Sequence, residues 1–294
     1  MSVIARRRPG VARTSVKLCE HPVFIIGSPR SGTTALASSL ACHPTFWSCG
    51  ETQLLIDLFG DGRLERNYRR RTAPDGSWLH DAAVHREMFL AFVGAGVNAL
   101  ITNRSRGLRW IDKTPGYTLM ADTVADLFPG ALFIHLLRDG RRAVHSMVNF
   151  ARHQSRARYR SMREPWMTDF RAACRTWRDH VEAARSFEEE RPDRCLTVVS
   201  EQLLREPAAG FERIFEYLGE WPDAAVAEAF TTRRLHSSFV AEPRDGETNP
   251  AEVAKLLDAA PWQEWSASRR AVFVDEAGQT MVDCGLASRE ELSG

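Results

Sequence analysis

The chain has 294 residues, of which 44% are hydrophobic, and its 39 basic and 38 acidic side chains give a formal net charge of +1. This composition excludes a disordered chain, which carries less apolar mass, and argues against a nucleic-acid coat protein, which is usually strongly basic. No apolar run reaches the roughly 18 residues of a membrane-spanning helix. From the near-neutral charge we expect no nucleic-acid partner, and from the lack of such a run we expect no membrane partner.

The N-terminus and the cysteines bear on the cellular compartment. Residues 1–20 carry basic side chains without the apolar stretch of a secretory signal, so we expect a flexible arm and a cytoplasmic location. The six cysteines form no C-x-x-C pair, and no histidine cluster has zinc spacing. We therefore expect small buried thiols in a reducing compartment, rather than a disulfide framework or a metal site.

The first predicted element is a strand at residues 23–26, an apolar run that ends at Gly27. Continuous apolar runs of this kind are typical of parallel strands buried on both faces. The turn-forming residues 28–32 follow, and residues 33–41 have helical composition. The order is therefore strand, tight loop, helix.

The rest of the chain continues the alternation. We predict further strands at 108–111, 131–137 and 195–199, and helices at 117–128, 140–146, 168–190 and 207–218. Strands that alternate with helices predict a parallel β-sheet flanked by helices, a three-layer α/β fold. We treat residues 21–294 as one domain.

Two arginine-rich stretches, residues 60–107 and 152–167, do not fit the alternation. We expect both to be helical insertions over the C-terminal edge of the sheet, where such folds bind ligands and where an acceptor would enter. A solvated charged face is the alternative for each.

A phosphate-binding loop is indicated between the first strand and the first helix. Gly27-x4-Gly32-Thr33-Thr34 has the spacing of a Walker A loop, G-x4-G-K-[ST]. Glycines let backbone N–H groups point inward, and a helix N-terminus adds partial positive charge. An ordinary glycine- and proline-containing turn is the alternative. The motif favours a P-loop-type fold.

The loop departs from a triphosphate site in an informative way. Thr33 replaces the Walker lysine, which serves the β- and γ-phosphates, and the strand at 131–137 ends in Arg138 instead of a magnesium-binding carboxylate. Arg30, within the loop, supplies positive charge. We therefore predict a site for a dianionic group that needs no metal.

Two signatures resemble those of the sulfotransferases that use 3′-phosphoadenosine 5′-phosphosulfate (PAPS). I-G-S-P-R-S-G-T-T at 26–34 resembles the family's 5′-phosphosulfate loop, and L-R-D-G-R-R-A-V-H-S at 137–146 is similar to its second signature, whose Arg and Ser hold the 3′-phosphate. The resemblance implies PAPS as cosubstrate. It also implies a set of binding residues, namely Ser28, Arg30, Ser31, Gly32, Thr33, Thr34, Arg138 and Ser146.

Three shorter matches extend the resemblance to residues 22–285. D-K-T-P at 112–115 is similar to the family's K-T-P element, and the segment 261–285 resembles its tryptophan-rich closing helices. S-E-Q-L at 200–203 resembles the Y-E-[DQ]-L segment near the adenine, but Ser200 replaces the tyrosine.

The resemblance also implies who performs the chemistry. Pro115 stands where small-phenol sulfotransferases carry a histidine, whereas C-G-E-T at 49–52 resembles the G-E element of tyrosylprotein sulfotransferases, whose Glu is the base. We expect Glu51 to be the general base, with a helix cap as its alternative role. We expect Lys113 and Arg30 to stabilise the bridging oxygen, with a surface lysine as the alternative for Lys113.

The predicted reaction moves the sulfuryl group of PAPS to a hydroxyl of a small-molecule or carbohydrate acceptor, and gives a sulfate ester and adenosine 3′,5′-bisphosphate. A protein tyrosine is also compatible with the Glu51 resemblance, although the missing secretion signal argues against it. The alternatives are a P-loop kinase of a small metabolite and a non-catalytic nucleotide-binding module. The sequence identifies neither the acceptor nor the oligomeric state.

Overall fold

A computed structural model of the protein describes residues 16–73, 85–153, 164–232 and 261–293. Five strands form one parallel sheet in the order β2-β3-β1-β4-β5. Their bounds are β1 (Val23–Ile26), β2 (Phe46–Gly50), β3 (Arg109–Asp112), β4 (Leu132–Leu137) and β5 (Cys195–Val199). Four of them match the predicted strands, and β2 was not predicted.

Helices cover the sheet. In the described ranges they are α1 (Thr33–Leu40), α2 (Leu54–Phe59), α3 (Arg63–Thr72), α4 (Arg86–Arg104), α5 (Ala121–Leu127), α6 (Gly140–His153), α7 (Phe170–Glu190), α8 (Ser200–Arg205), α9 (Pro207–Leu218), α10 (Ala224–Thr232), α11 (Pro261–Glu264), α12 (Ala267–Phe273), α13 (Gln279–Asp283) and α14 (Arg289–Ser293). A 3₁₀ turn at Pro115–Met120 follows β3, and a π-helical turn at Val274–Gly278 joins α12 to α13.

Alternate residues of β1 serve opposite faces of the sheet, as strand geometry requires. Val23 and Ile25 belong to a buried cluster with residues of α1 and α9. Phe24 and Ile26 belong to a second cluster with residues of α5 and α7. Because both faces are buried, the predicted three-layer architecture is confirmed.

The position of β1 decides where a ligand can bind. β1 pairs with β3 on one side and with β4 on the other, with Phe24 opposite Asp112 and Ile26 opposite His135. The chain therefore reverses its direction of winding at β1, and the loops after β1, β3 and β4 meet at one edge of the sheet. Open α/β sheets bind ligands in the crevice at such a switch point.

The predicted insertion at 60–107 contains α3 and α4. Helix α4 packs against α5 so closely that a Cβ at Gly94 would lie 1.7 Å from the carbonyl oxygen of Leu127. Leu90 and Ile101 of the same helix are buried in the cluster beneath the sheet. This part of the insertion thus belongs to a helical layer, and a role of residues 60–107 in binding an acceptor stays a prediction.

Two other predicted segments lie partly outside the described residues. Of the predicted arm, residues 1–15 are outside, while the backbone of Cys19 exchanges hydrogen bonds of 2.9 and 2.8 Å with the side-chain amide of Asn98 on α4. Of the insertion at 152–167, residues 154–163 are outside.

All six cysteines are free thiols. Across the described ranges, no helix combines the length and apolar character needed to span a membrane.

Two histidines are buried between the sheet and α7. His135 of β4 is fully buried, and its Nδ1 lies 3.0 Å from the hydroxyl of Thr197, which itself donates to Glu188. No group in the described ranges reaches its Nε2. His180 of α7 lies 2.7 Å from the carbonyl oxygen of Thr176. Burial lowers the pKa of His135 to about 3 and the pKa of His180 to about 4.

Candidate active site

The phosphate loop leaves β1 at Gly27. A Cβ at this position would lie 2.6 Å from the carbonyl oxygen of Leu136 in β4, and Gly27 has φ of 142°, so only glycine fits. Its amide donates to the hydroxyl of Thr118 at 2.8 Å. Arg30 and Gly32 also have positive φ, 69° and 100°. Together these residues fold the loop tightly back toward α1.

The loop leads into a helix N-terminus with free donor groups. Among the residues that the structure describes, no side chain caps α1, whose first backbone N–H groups have no partner within a helix. The hydroxyl of Ser31 is buried and has no hydrogen-bond partner in the described part of the chain. Ser28 and Thr33 are buried beside it. An uncapped helix N-terminus beside an unpaired buried hydroxyl suits an anion such as a phosphate or sulfate group.

A lysine and a carboxylate meet next to this loop. The amide of Lys113 donates to the carbonyl oxygen of Gly50 at 3.0 Å, which joins the ends of β2 and β3. The ammonium group of Lys113 donates to the Thr34 hydroxyl at 2.8 Å and forms an ion pair with Glu51. The Lys113 side chain is 5% exposed and that of Glu51 is 46% exposed. The pair therefore has a buried cation against the loop and a carboxylate open to solvent.

Both structural alternatives for this pair are wrong. Lys113 is buried and is not a surface lysine. Glu51 follows the end of strand β2, and α2 begins only after Gln53, with no side chain capping it. The structure thus brings together the two residues expected to act on the sulfuryl group and the acceptor, while their chemical roles stay predictions.

The second signature converges on the loop from β4 and α6. Arg138 donates to the carbonyl oxygen of Arg30 at 2.7 Å, and Nε of Arg30 lies 3.3 Å from the Ser146 hydroxyl. The guanidinium of Arg30 also stacks 4.8 Å from the ring centre of Phe150. Arg30, Arg138 and Ser146 therefore lie together, and the nucleotide-binding role that the resemblance implies for each stays a prediction. Arg30 is directed toward Ser146, and its expected action beside Lys113 stays a prediction.

Burial and charge act in opposite directions on Arg138. Burial lowers the pKa of its guanidinium, and Glu201, 4.0 Å away at the start of α8, raises it. Glu201 also accepts a hydrogen bond from the amide of Asp139 at 3.3 Å. The S-E-Q-L segment therefore contacts the second signature through Glu201, which faces Arg138 and the Asp139 amide. Arg141, at the start of α6, pairs with Asp139.

Sequence reasoning missed a hydrogen-bonded group directly behind Glu51 and Lys113. The carboxylate of Asp112 accepts from the hydroxyls of Thr52 at 2.7 Å and Thr114 at 2.8 Å. The Tyr117 hydroxyl lies 2.8 Å from that of Thr52. Burial raises the pKa of Asp112 to about 6 and that of Tyr117 to about 12. The one available signal was position, since Thr52 follows Glu51 and Asp112 precedes Lys113 in the sequence.

The described residues contain no group of three or more His, Cys, Asp or Glu side chains placed to hold a metal ion. The donors of the site are instead amides, hydroxyls, guanidiniums and one ammonium group. Such donors suit the oxygens of phosphate and sulfate groups.

Comparisons with known proteins agree with this picture. A family model described as "Sulfotransferase family" matches residues 22–223. A protein-tyrosine sulfotransferase of Drosophila melanogaster is 25% identical over 251 residues, which are 83% of this chain and 46% of that protein. The chain spans about half to two thirds of the length of the curated relatives it matches.

Solved structures show the same fold. The sulfotransferase domain of the Synechococcus PCC 7002 olefin synthase superposes with a TM-score of 0.57 at 22% identity, covering 93% of this chain and 97% of that domain. A mouse sulfotransferase complexed with PAP superposes with a TM-score of 0.51 at 13% identity, covering 89% of this chain and 84% of the mouse protein. The predicted P-loop-type fold is confirmed.

Proposed function

This chain belongs to the sulfotransferase family, and we propose that it transfers the sulfuryl group of PAPS to a hydroxyl group. The products are a sulfate ester and adenosine 3′,5′-bisphosphate. One observation carries the proposal: a buried lysine, Lys113, contacts both Thr34 of the phosphate loop and the solvent-accessible carboxylate of Glu51. A nucleotide-binding module without catalysis has no need of this pair.

The residues present fit both phosphate-bearing ends of the nucleotide. At the 5′ end, the N-terminal amides of α1 and the hydroxyls of Ser31 and Thr34 would hold the phosphosulfate. At the 3′ end, Arg138 and Ser146 would hold the 3′-phosphate, since a guanidinium fork matches phosphate oxygens bidentately. PAPS, when bound, supplies a sulfuryl group activated by its bond to phosphate.

Lys113 and Glu51 divide the remaining work. Lys113 is held near the loop by Thr34 and can stabilise negative charge on the bridging oxygen, where a preorganised cation is most effective. Glu51 faces solvent and can accept the proton of an incoming hydroxyl. General-base catalysis of this kind typically contributes about 10²- to 10⁴-fold.

The names of the curated relatives bear on which hydroxyl accepts the sulfuryl group. The curated relatives are named protein-tyrosine sulfotransferases, which favours the phenolic hydroxyl of a tyrosine in a polypeptide. A small-molecule or carbohydrate hydroxyl, the acceptor predicted from the sequence, is the second arm of the test. The cytoplasmic location stays a prediction.

The test combines binding with transfer. The full chain is titrated with adenosine 3′,5′-bisphosphate in a calorimeter and then incubated with sulfur-labelled PAPS and a panel of tyrosine peptides, carbohydrates and small alcohols and phenols. We expect tight bisphosphate binding without added magnesium and label on one class of acceptor.

Glu51→Gln is the matched variant, because it keeps the size of the side chain and removes the basic oxygen. It should bind the bisphosphate as the wild type does and lose at least about 100-fold in turnover. Stronger binding of ADP with magnesium, together with phosphorylation from ATP, would replace the proposal with a kinase. Bisphosphate binding without transfer to any acceptor class would indicate a non-catalytic module.

A further inference from the structure

We infer that Thr52, Asp112 and Tyr117 act as a positioning device, called here the Asp112 clamp, that holds the Glu51 carboxylate against Lys113. The inference rests on the proposed role of Glu51 as general base. None of the three clamp residues is expected to touch the nucleotide or the acceptor, so they act only through Glu51 and Lys113.

The contacts of the clamp define the direction of each hydrogen bond. Thr52 donates its hydroxyl proton to Asp112 at 2.7 Å, so the Tyr117 hydroxyl donates to Thr52 at 2.8 Å. The oxygen of Tyr117 in turn accepts from the backbone amide of Leu55 at 3.1 Å. Thr114 completes the set by donating to the second oxygen of Asp112 at 2.8 Å. Each group has a partner, and the chain of bonds runs from α2 back to β3.

Because the clamp is buried, its carboxylate needs hydrogen-bond partners within the protein. Asp112 is 1% exposed and Tyr117 is fully buried. A buried carboxylate costs free energy unless hydrogen bonds or a cation compensate it, and here two hydroxyls do so with Lys113 next along the chain. Loss of either hydroxyl would leave part of the carboxylate unsatisfied. The segment that carries Thr52 is therefore held firmly in place.

The clamp residues adjoin the residues of the site in sequence. Thr52 follows Glu51 directly, and Asp112 precedes Lys113 directly. The hydrogen bond between Thr52 and Asp112 consequently ties together the two strand ends that carry the ion pair. A shift of Thr52 would move the Glu51 backbone relative to the Lys113 ammonium group.

The backbone after Glu51 needs such support. Gln53 has a φ of 56°, in the left-handed region that residues other than glycine seldom adopt. On its C-terminal side, the amide of Leu54 donates to the Thr52 hydroxyl at 3.3 Å and the amide of Leu55 donates to Tyr117. The same two hydroxyls that define the clamp thus also hold this turn closed.

The test uses three variants of the full chain. Thr52→Val keeps the shape of the side chain and removes the hydroxyl, Thr52→Ser keeps the hydroxyl, and Tyr117→Phe keeps the ring. Amide hydrogen exchange of residues 50–55 is measured first, because it requires no acceptor. We expect faster exchange at Leu54 and Leu55 in Thr52→Val and Tyr117→Phe, with exchange restored toward wild type in Thr52→Ser.

Kinetics then separate positioning from general stability. Thr52→Val should bind adenosine 3′,5′-bisphosphate with an unchanged Kd and lose about 10- to 100-fold in kcat, with the KM for PAPS unchanged. Thr52→Ser should recover most of the lost kcat. In a Glu51→Gln background, Thr52→Val should cause no further loss, because the carboxylate that it positions is already gone.

The outcomes distinguish a failure of the proposed role of Glu51 from a failure of the clamp. Full turnover in Glu51→Gln would overturn the proposed role of Glu51 and this inference with it. A large loss in Glu51→Gln, combined with wild-type kcat and exchange in Thr52→Val, would leave that role intact and overturn the clamp alone. Equal losses from Thr52→Val in both backgrounds would also overturn the clamp, since its effect would not pass through Glu51.

Discussion

The buried histidines make the stability of the folded chain sensitive to mild acid. His135 and His180 have folded-state pKa values of about 3 and about 4, lowered by burial from an ordinary value of 6.5. A lowered histidine pKa means that the unfolded chain binds more protons, so stability is present above pH 6.5 and is lost as pH falls. Both groups remain neutral in the folded chain at pH 5.

The size of the effect follows from linkage. Between pH 7 and pH 5 the unfolded chain takes up a proton on each imidazole and the folded chain does not, which costs about 2 kcal/mol per group. Because both folded-state pKa values lie at or below about 4, the cost over this interval depends mainly on the ordinary value of 6.5. The two histidines together therefore remove about 4 kcal/mol, a large part of a typical unfolding free energy.

Urea unfolding of the wild type and of a histidine variant at pH 7 and pH 5 isolates the share of one histidine, because the opposite contribution of Asp112 over this interval is common to both. His135→Asn keeps an amide donor for Thr197 and cannot be protonated, so its unfolding free energy should fall by about 2 kcal/mol less than that of the wild type over the same interval. The variant also serves as its own control, because any cavity cost is present at both pH values. An identical pH dependence in wild type and variant would refute the reasoning.

Three further predictions concern the site. Gly27→Ala should abolish binding of adenosine 3′,5′-bisphosphate in calorimetry, because its Cβ would overlap the Leu136 carbonyl, and retained affinity would contradict the role of the loop. Ser146→Ala should weaken bisphosphate binding about 10-fold, a typical loss for one hydrogen bond to a charged group, and leave AMP binding unchanged; equal effects on both ligands would place Ser146 away from the 3′-phosphate. Burial raises the pKa of Asp112 to about 6, so the folded chain holds its proton more tightly than the unfolded chain. This stabilises the folded chain at low pH, and the stabilisation is lost as pH rises from 4 to 6, by at most about 3 kcal/mol. Urea unfolding of Asp112→Asn should lack that loss.

Four strands and the phosphate loop could be predicted because their signals are local. β1 and β4 are apolar runs, and a strand buried on both faces must have such a sequence. β2, with the sequence F-W-S-C-G, has one buried residue and four half-buried ones, because it lies at the edge of the sheet. The other edge strand, β5, has the mostly apolar sequence C-L-T-V-V and could be predicted, whereas Ser48 and Gly50 interrupt the apolar run of β2.

Some residues of the site could be predicted from the sequence, whereas some of their contacts could not. Glu51 and Lys113 were predicted from a family resemblance, and no spacing rule connects residues 62 positions apart. The bond between Thr52 and Asp112 was missed because it exists only through the parallel pairing of β2 with β3. The direction of Arg30 toward Ser146 likewise depends on where α6 begins, which the motif alone does not define.

The way the loop is braced has a consequence for how the sequence of this chain could change. Gly27 is fixed by Leu136 of β4 and by Thr118 of the 3₁₀ turn, and neither group belongs to the stretch at 60–107. Changes of sequence in α3 or the start of α4 therefore leave the two groups that brace Gly27 in place. The loop can stay constant in the course of evolution while that stretch varies.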